Sequence, residues 1–333
     1  MDPLLQELIG FPSVCSNIPE ANRIIDYFEP RLKDLGLHVE RFERRRFPSL
    51  VATSQKTKTP KVMLYAHLDV VEAPGSLFSL RLEDGKYYGR GVLDMKSAAA
   101  NYMHILNDIQ ENLTDYDIGI MLTTDEEYFG MYGAGMLASE GYLPQVCIMP
   151  DSVFGTNWDI ENFAKGCWFA HITSLGISAH GSRPWEGDSA SIKLVHAVDQ
   201  ISELFKDMQQ PNTATLNVGL IRGGASINQI PAAAMASLDI RFTDYKVYQR
   251  LKRSIGRICD RNDVNLRTVR KANKPTYNDI EHPLVKAFTQ QVAKQIGVLP
   301  KPFSAHGATD ARFYADKGGA LHTHEPSRWR CTQ

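Results

Sequence analysis

Residues 62–69 read Val62-Met63-Leu64-Tyr65-Ala66-His67-Leu68-Asp69. A continuous apolar run leads straight into an imidazole and a carboxylate. A run without polar alternation predicts a strand covered on both faces, as in an α/β sheet. Residues 118–123 and 146–149 are runs of the same kind. Between these runs, Met95, Ala98, Ala99, Tyr102, Met103 and Leu106 recur at the spacing of one helix face. Upstream, Ala21, Ile24, Ile25, Phe28, Leu32 and Leu35 do the same, and Gly36 follows as a C-terminal cap. Strands alternating with helices predict an α/β domain with both sheet faces covered.

The middle of the chain follows another order. Strands are predicted over 168–175, 215–222, 232–242 and 264–269, and helices over 189–208 and 246–261. That β-α-β-β-α-β order is the ferredoxin-like arrangement, which closes on itself. The expected organisation is therefore nested. Residues 1–163 and 272–333 form one domain, and residues 164–271 form a smaller one inserted into it. A helix over 284–296, ended by Gly297, and a short helix after Thr309-Asp310 complete the outer domain.

The 333 residues suit about two domains at roughly 150 residues each. Lys and Arg number 37 and Asp and Glu 38, giving a net charge of −1. That balance argues against a nucleic-acid-binding surface. No apolar run approaches the ~18 residues needed to span a bilayer. Met1-Asp2-Pro3-Leu4-Leu5-Gln6-Glu7 has acids where a signal peptide carries bases. The five cysteines are dispersed and form no Cys-x-x-Cys pair, so a disulfide framework and a cysteine zinc site are not expected, and a reducing cytoplasm is.

Polar residues cluster where the strands end. His67 and Asp69 follow the first run, Asp94 opens a helix, Asp125-Glu126-Glu127 follows 118–123, and Asp151 follows 146–149. Ligands of open α/β sheets gather at the carboxyl ends of strands, so these groups are expected to converge. Each has an ordinary alternative: Asp94 as a helix cap, Glu126-Glu127 as a solvated pair, Asp151 as a loop acid. The conjunction favours chemistry, because solvated charge is not expected at the end of every buried run. Close carboxylates repel unless a cation neutralises them. A mixed imidazole and carboxylate set suits Zn²⁺, and also Mn²⁺ or Co²⁺. In an extended segment Asp69 shares a side with His67 and can accept its second N–H.

These segments resemble the dinuclear zinc peptidases and deacylases of the M20 family. The resemblance is carried by Ala66-His67-Leu68-Asp69, Gly89-Arg90-Gly91-Val92-Leu93-Asp94-Met95-Lys96, Thr124-Asp125-Glu126-Glu127 and Pro150-Asp151. In the inserted region it is carried by Ala179-His180-Gly181-Ser182-Arg183-Pro184-Trp185, Asn228-Gln229-Ile230-Pro231 and Asp239-Ile240-Arg241-Phe242, and near the end by Gly307-Ala308-Thr309-Asp310-Ala311-Arg312-Phe313. It implies a zinc-exopeptidase-like catalytic domain with an inserted ferredoxin-like (α+β) dimerisation domain. Asp94 would bridge two zinc ions, His67 and Asp151 would complete one site, and Glu127 would serve the other. Glu126 would be the general base and Asp69 would orient His67. His180 would reach the partner subunit's active site in a homodimer. Asn228, Arg241 and Arg312 would hold substrate or its carboxylate. Read without the resemblance, His180 is a surface-loop residue, Arg241 a strand-end charge and Arg312 a helix-surface charge. The implied activity is hydrolysis of an amide in a small peptide or N-acyl amino acid. Asp at position 151, where relatives vary between Asp and Glu, leans toward peptidases acting near a free amino terminus.

One part departs from the pattern. The family places a last zinc-binding histidine in a Gly-rich segment beyond the Thr-Asp-Ala-Arg motif. Here the residues after Arg312 include His322 and His324, but neither in that context, and His306 precedes the motif. Trp329 has a single codon that always reads as glycine one base later. With permitted codons, the stretch from Glu325 onward can then spell Ser-Pro-Val-Gly-Gly-Gly-Ala-His. A frameshifted tail is the resulting expectation, and the nucleotide sequence decides it. With the tail as written, one metal should bind well and the second poorly, giving an impaired relative.

Overall fold

The computed structural model describes residues 1–151, 159–270, 272–314 and 320–323. The α-helices are α1 (Pro3–Ile9), α2 (Ile18–Asp34), α3 (Lys96–Asp108), α4 (Ala134–Ser139), α5 (Ala190–Glu203), α6 (Tyr245–Arg261) and α7 (Pro283–Ile296). The strands are β1 (His38–Arg44), β2 (Phe47–Thr53), β3 (Val62–His67), β4 (Arg81–Glu83), β5 (Lys86–Tyr88), β6 (Ile118–Thr123), β7 (Val146–Met149), β8 (Ile160–Ala164), β9 (Gly166–Leu175), β10 (Thr215–Gly223), β11 (Ala233–Phe242), β12 (Val264–Thr268), β13 (Thr276–Tyr277), β14 (Pro302–Ala305) and β15 (Ala320–Thr323). They fall into two compact units.

The first unit comprises Met1–Phe163, Tyr277–Ala305 and Thr309–Gln333. Its sheet runs β1-β2-β6-β3-β7-β15-β8-β13, with β14 paired to β8. β3 is parallel to both β6 and β7, and β7 is parallel to β15. β3, β6 and β7 are the continuous apolar runs, and their side chains are almost wholly buried. α2 covers the sheet through Ala21, Ile24, Ile25, Phe28 and Leu32, all buried. Burying each large apolar side chain of this kind contributes about 1.5–3 kcal/mol. Truncating Phe28 to alanine would cost about 3–5 kcal/mol. α2 ends as its sequence predicts, with Gly36 at φ +78°. The β1–β2 hairpin is absent from the sequence expectation. Its outer strand is polar and largely exposed, so no apolar period marks it.

The second unit comprises Ala164–Thr276 and His306–Ala308. Its antiparallel sheet runs β10-β11-β9-β12. With α5 and α6 this is the expected β-α-β-β-α-β order, and β9 and β11 alternate buried and partly exposed residues against the helices. Trp168, Ile172, Leu194, Ile201, Leu238 and Ile255 form a core of its own. Asn273 exchanges backbone hydrogen bonds with Cys167 at 3.0 and 3.2 Å, which ties the segment after β12 to this sheet. Among the described residues, no helix is long and apolar enough to cross a membrane.

Candidate active site

The register of the parallel strands builds the site. His67 ends β3 opposite Thr123 of β6, so the Asp125-Glu126-Glu127 turn begins beside it. Leu64 pairs with Ile148 of β7, and continuing that register brings Asp151 level with His67. His67 Nε2 stands 2.8 Å from Asp94 Oδ1 and 3.7 Å from Asp151 Oδ1. One ligand atom each of His67, Glu126 and Asp151 lie within 4.8 Å of one another. Asp94 does not cap the helix after it; α3 begins at Lys96 and Met95 takes the cap position.

Asp69 is fully buried, and both its main chain and its carboxylate face the ring. His67 Nδ1 lies 3.0 Å from the Asp69 main-chain oxygen and 3.5 Å from Oδ1. The main-chain oxygen is the nearer partner of the ring, and the carboxylate has further partners as well. It accepts the backbone N–H of Glu126 at 3.2 Å and of Glu127 at 2.8 Å, and the Cys15 thiol at 3.3 Å.

The electrostatics follow from crowding. Burial would lower the His67 pKa, but hydrogen bonds to Asp151, Asp69 and Asp94 outweigh it and hold the ring well above its ordinary value. Burial, then the charges of Asp151 and Asp310, push Glu126 well above the usual carboxylate range. Burial and Asp94 push Glu127 up to about 7. Burial also raises Asp151, whose Oδ2 has no hydrogen-bond partner. A buried, unpaired carboxylate oxygen beside an imidazole and a second raised carboxyl is a site short of positive charge. A divalent cation fits this donor set.

Arg312 lies in the short 3-10 helix Asp310–Phe313 but not on its surface; its side chain is 5% exposed. It donates to Thr309 O at 2.5 Å and to Phe129 O at 2.8 Å, pairs with Asp310 at 3.2 Å, and comes within 3.9 Å of Glu126. Asp310 in turn accepts the Tyr65 hydroxyl, which also bonds Thr123 at 2.7 Å. Gly130, at φ +56°, leaves room for this acid; a Cβ there would stand 1.8 Å from Asp310 Oδ1. Lys96 is another residue given no role by sequence reading. It is fully buried and donates to Leu8 O at 3.1 Å and Phe11 O at 2.6 Å, tying the start of α3 to the end of α1. Burial lowers its pKa to about 7. A lysine just after Asp94 and ahead of an apolar helix face was the available signal.

The remaining expected residues belong to the second unit. His180 is exposed on a loop that pairs with Gln229, and Gly181 N donates to Asn228 O at 2.7 Å, so His180 and Asn228 share one edge. His180 Nδ1 accepts the Ser182 N–H at 3.2 Å, which leaves the proton of the neutral ring on Nε2. Arg241, near the end of β11, is clamped by Asp239 at 2.7 and 3.0 Å. His306 is exposed. His322 pairs along the backbone with Met149 and Glu161, and His324 and the suspected frameshifted stretch lie outside the described residues.

The comparisons with known proteins agree with this geometry. The profile of peptidase family M20/M25/M40 matches residues 63–323. A succinyl-diaminopimelate desuccinylase of Cereibacter sphaeroides is 26% identical over 94% of this chain and 88% of its own. One of Rickettsia akari is 26% identical over 93% and 87%. A tripeptidase structure from Staphylococcus aureus superposes with a TM-score of 0.77 at 19% identity, covering 96% of this chain and 88% of its own. An M20 family metallo-carboxypeptidase from Sulfolobus solfataricus gives 0.76 at 17%, covering 97% and 91%. The last two likenesses concern the fold. The sequence match across most of the chain makes it a hydrolase that belongs to peptidase family M20/M25/M40.

Proposed function

We propose that this chain hydrolyses the amide bond of a small peptide or N-acyl amino acid with Glu126 as general base. The observation that carries the reading is the meeting of His67, Glu126 and Asp151, with Asp151 Oδ2 buried and unpaired. His67, Asp94, Asp151 and Glu127 would hold two Zn²⁺ ions, with Co²⁺ or Mn²⁺ as substitutes. Bound there, a divalent cation acidifies water and polarises the scissile carbonyl. Glu126 Oε takes the proton released by the attacking water and passes it to the leaving nitrogen. The raised pKa of Glu126 suits both halves of that transfer. Asp69 holds the turn that presents Glu126 and Glu127. The relatives are named for desuccinylation and the solved neighbours for peptide cleavage. Both are hydrolyses of an amide.

The second unit is proposed as the dimerisation domain. β10 is an edge strand with Leu220 and Ile221 exposed, and α5 exposes Ile192 and Val195. In such a homodimer the partner's His180 would bring its Nε2–H to the developing oxyanion, with Asn228 and Arg241 as substrate contacts. A cytoplasmic location is consistent with the dispersed cysteines.

The test is a panel of dipeptides and N-acyl amino acids with Zn²⁺, comparing the wild type with Glu126→Gln. Loss of at least about 100-fold in turnover with metal content retained is expected. Wild-type turnover by Glu126→Gln would overturn the mechanism.

A further inference from the structure

A cavity of about 530 Å³ lies in the first unit beside Glu127. Val14, Val70 and Val71 give it apolar walls, and Arg46, exposed in the β1–β2 turn, also lines it. The first wall is fixed by a backbone bridge between Val14 and Val70. We infer that this cavity is a specificity pocket for a substrate group that ends in a carboxylate, received by Arg46. The inference rests on the hydrolase reading above, since Glu127 makes the cavity continuous with the reacting centre.

Three observations carry it. First, Arg44 pairs with Phe47, so the hairpin turns on two residues only, Arg45 at φ +55° and Arg46 at φ +97°. Such turns favour Asn-Gly, because both central residues lie at positive φ. Two arginines there are strained, and strain of this kind gathers at ligand clamps.

Second, the guanidinium of Arg46 is supported but has no acid partner. It lies 5.4 Å from the centre of the Phe47 ring, which stacks at 5.2 Å on Tyr128, itself a wall of the cavity. Among the described residues, Arg46 makes no ion pair. A cation–π contact of this kind takes no N–H donor in a hydrogen bond, and a guanidinium can offer two of them to one carboxylate.

Third, Arg46 is the one basic residue lining the cavity, and of the two acids there Glu72 accepts the Ser16 hydroxyl at 2.7 Å. The other, Glu127, is a proposed ligand. Arg46 is thus the charge offered to an incoming group. The ligand chemistry is a short methylene chain carrying a carboxylate, attached at the scissile amide. An acyl group derived from a dicarboxylic acid and an acidic amino-acid side chain share that chemistry.

The first measurement does not depend on turnover. Calorimetry of metal-loaded protein with glutarate and with pentanoate differs only by the second carboxylate. The wild type should bind glutarate about 10–100-fold more tightly than pentanoate, the range of a charge-assisted pair. Arg46→Ala should abolish that preference and Arg46→Lys restore part of it. Equal binding by the wild type, or a preference that survives Arg46→Ala, overturns the proposal. The second measurement compares kcat/KM for N-glutaryl-alanine against N-pentanoyl-alanine, and for Glu-Ala against norvalyl-Ala. The pair whose ratio collapses in Arg46→Ala, chiefly through KM, identifies the source of the carboxylate. A fall equal for all four substrates contradicts the pocket. Glutarate preference without hydrolysis of any substrate would retain the pocket and sink the hydrolase reading. Hydrolysis without the preference would do the reverse.

Discussion

The Asp69 carboxylate accepts the backbone N–H of Glu127 at 2.8 Å, and its other oxygen accepts that of Glu126 at 3.2 Å. One buried acid therefore sets the position of both glutamates, while its main-chain oxygen aligns His67. Asp69→Asn keeps the shape but turns an N–H₂ toward one of the two backbone donors. Metal affinity should fall about 10–100-fold, as when outer partners of metal ligands are removed. Competition with a chromophoric chelator measures it. Unchanged affinity and turnover would refute this role.

Cys15 approaches the same carboxylate at 3.3 Å. Burial first, and the charge of Asp69 second, push its thiol far above the ordinary cysteine range. It should stay a protonated donor. At about pH 8, iodoacetamide should alkylate Cys15 at least about 10-fold more slowly than a free thiol, read by peptide mass spectrometry. Cys15→Ser should retain activity and Cys15→Val lose part of it. Rapid alkylation of Cys15 would contradict this.

Arg312 makes its contacts inside the protein, with Thr309 O, Phe129 O and Asp310. Arg312→Ala leaves the buried Asp310 without its cation and should cost about 3–5 kcal/mol. Arg312→Lys should recover little, since one ammonium cannot span the three acceptors. Urea unfolding measures both. A stable Arg312→Ala whose KM rises only for carboxylate substrates would instead support the substrate contact that the family resemblance implies.

Glu161 is 1% exposed, and neither carboxyl oxygen has a hydrogen-bond partner. Burial, then the charge of Asp151, raise its pKa from 4.5 to about 8. Between those values the unfolded chain has released a proton that the folded chain keeps. Stability is therefore full below the lower value and is lost as pH rises toward the upper one. Glu161→Gln should stabilise the metal-free protein at about pH 8 by on the order of 2 kcal/mol and change little at about pH 4. Equal effects at both pH values would rule this out.

Much of the architecture was legible because burial leaves a period. The continuous runs ending at Ala66, Thr123 and Met149 became the central parallel strands. The helix faces of α2 and α3 are the buried residues their spacing implied, except that Leu35 is half-buried beyond α2 and Met95 precedes α3. Polar residues at strand ends were legible too, since a charge that stops an apolar run needs a reason. The β1–β2 hairpin was not, because its outer strand is largely exposed, and its turn uses arginines where Asn-Gly would have announced it.

By itself, then, the amino-acid sequence determined the class of fold, the order of its main elements and the residue types gathered at the carboxyl edge. Only the tertiary structure decided who partners whom. Asp69 serves the Glu126-Glu127 turn as well as His67, Arg312 braces Asp310 and approaches Glu126, and Arg46 faces a cavity whose walls come from three distant segments. Periodicity places a side chain on a face. Its hydrogen-bond partner depends on how segments such as 65 and 310, or 69 and 127, close together, and no local spacing encodes that distance.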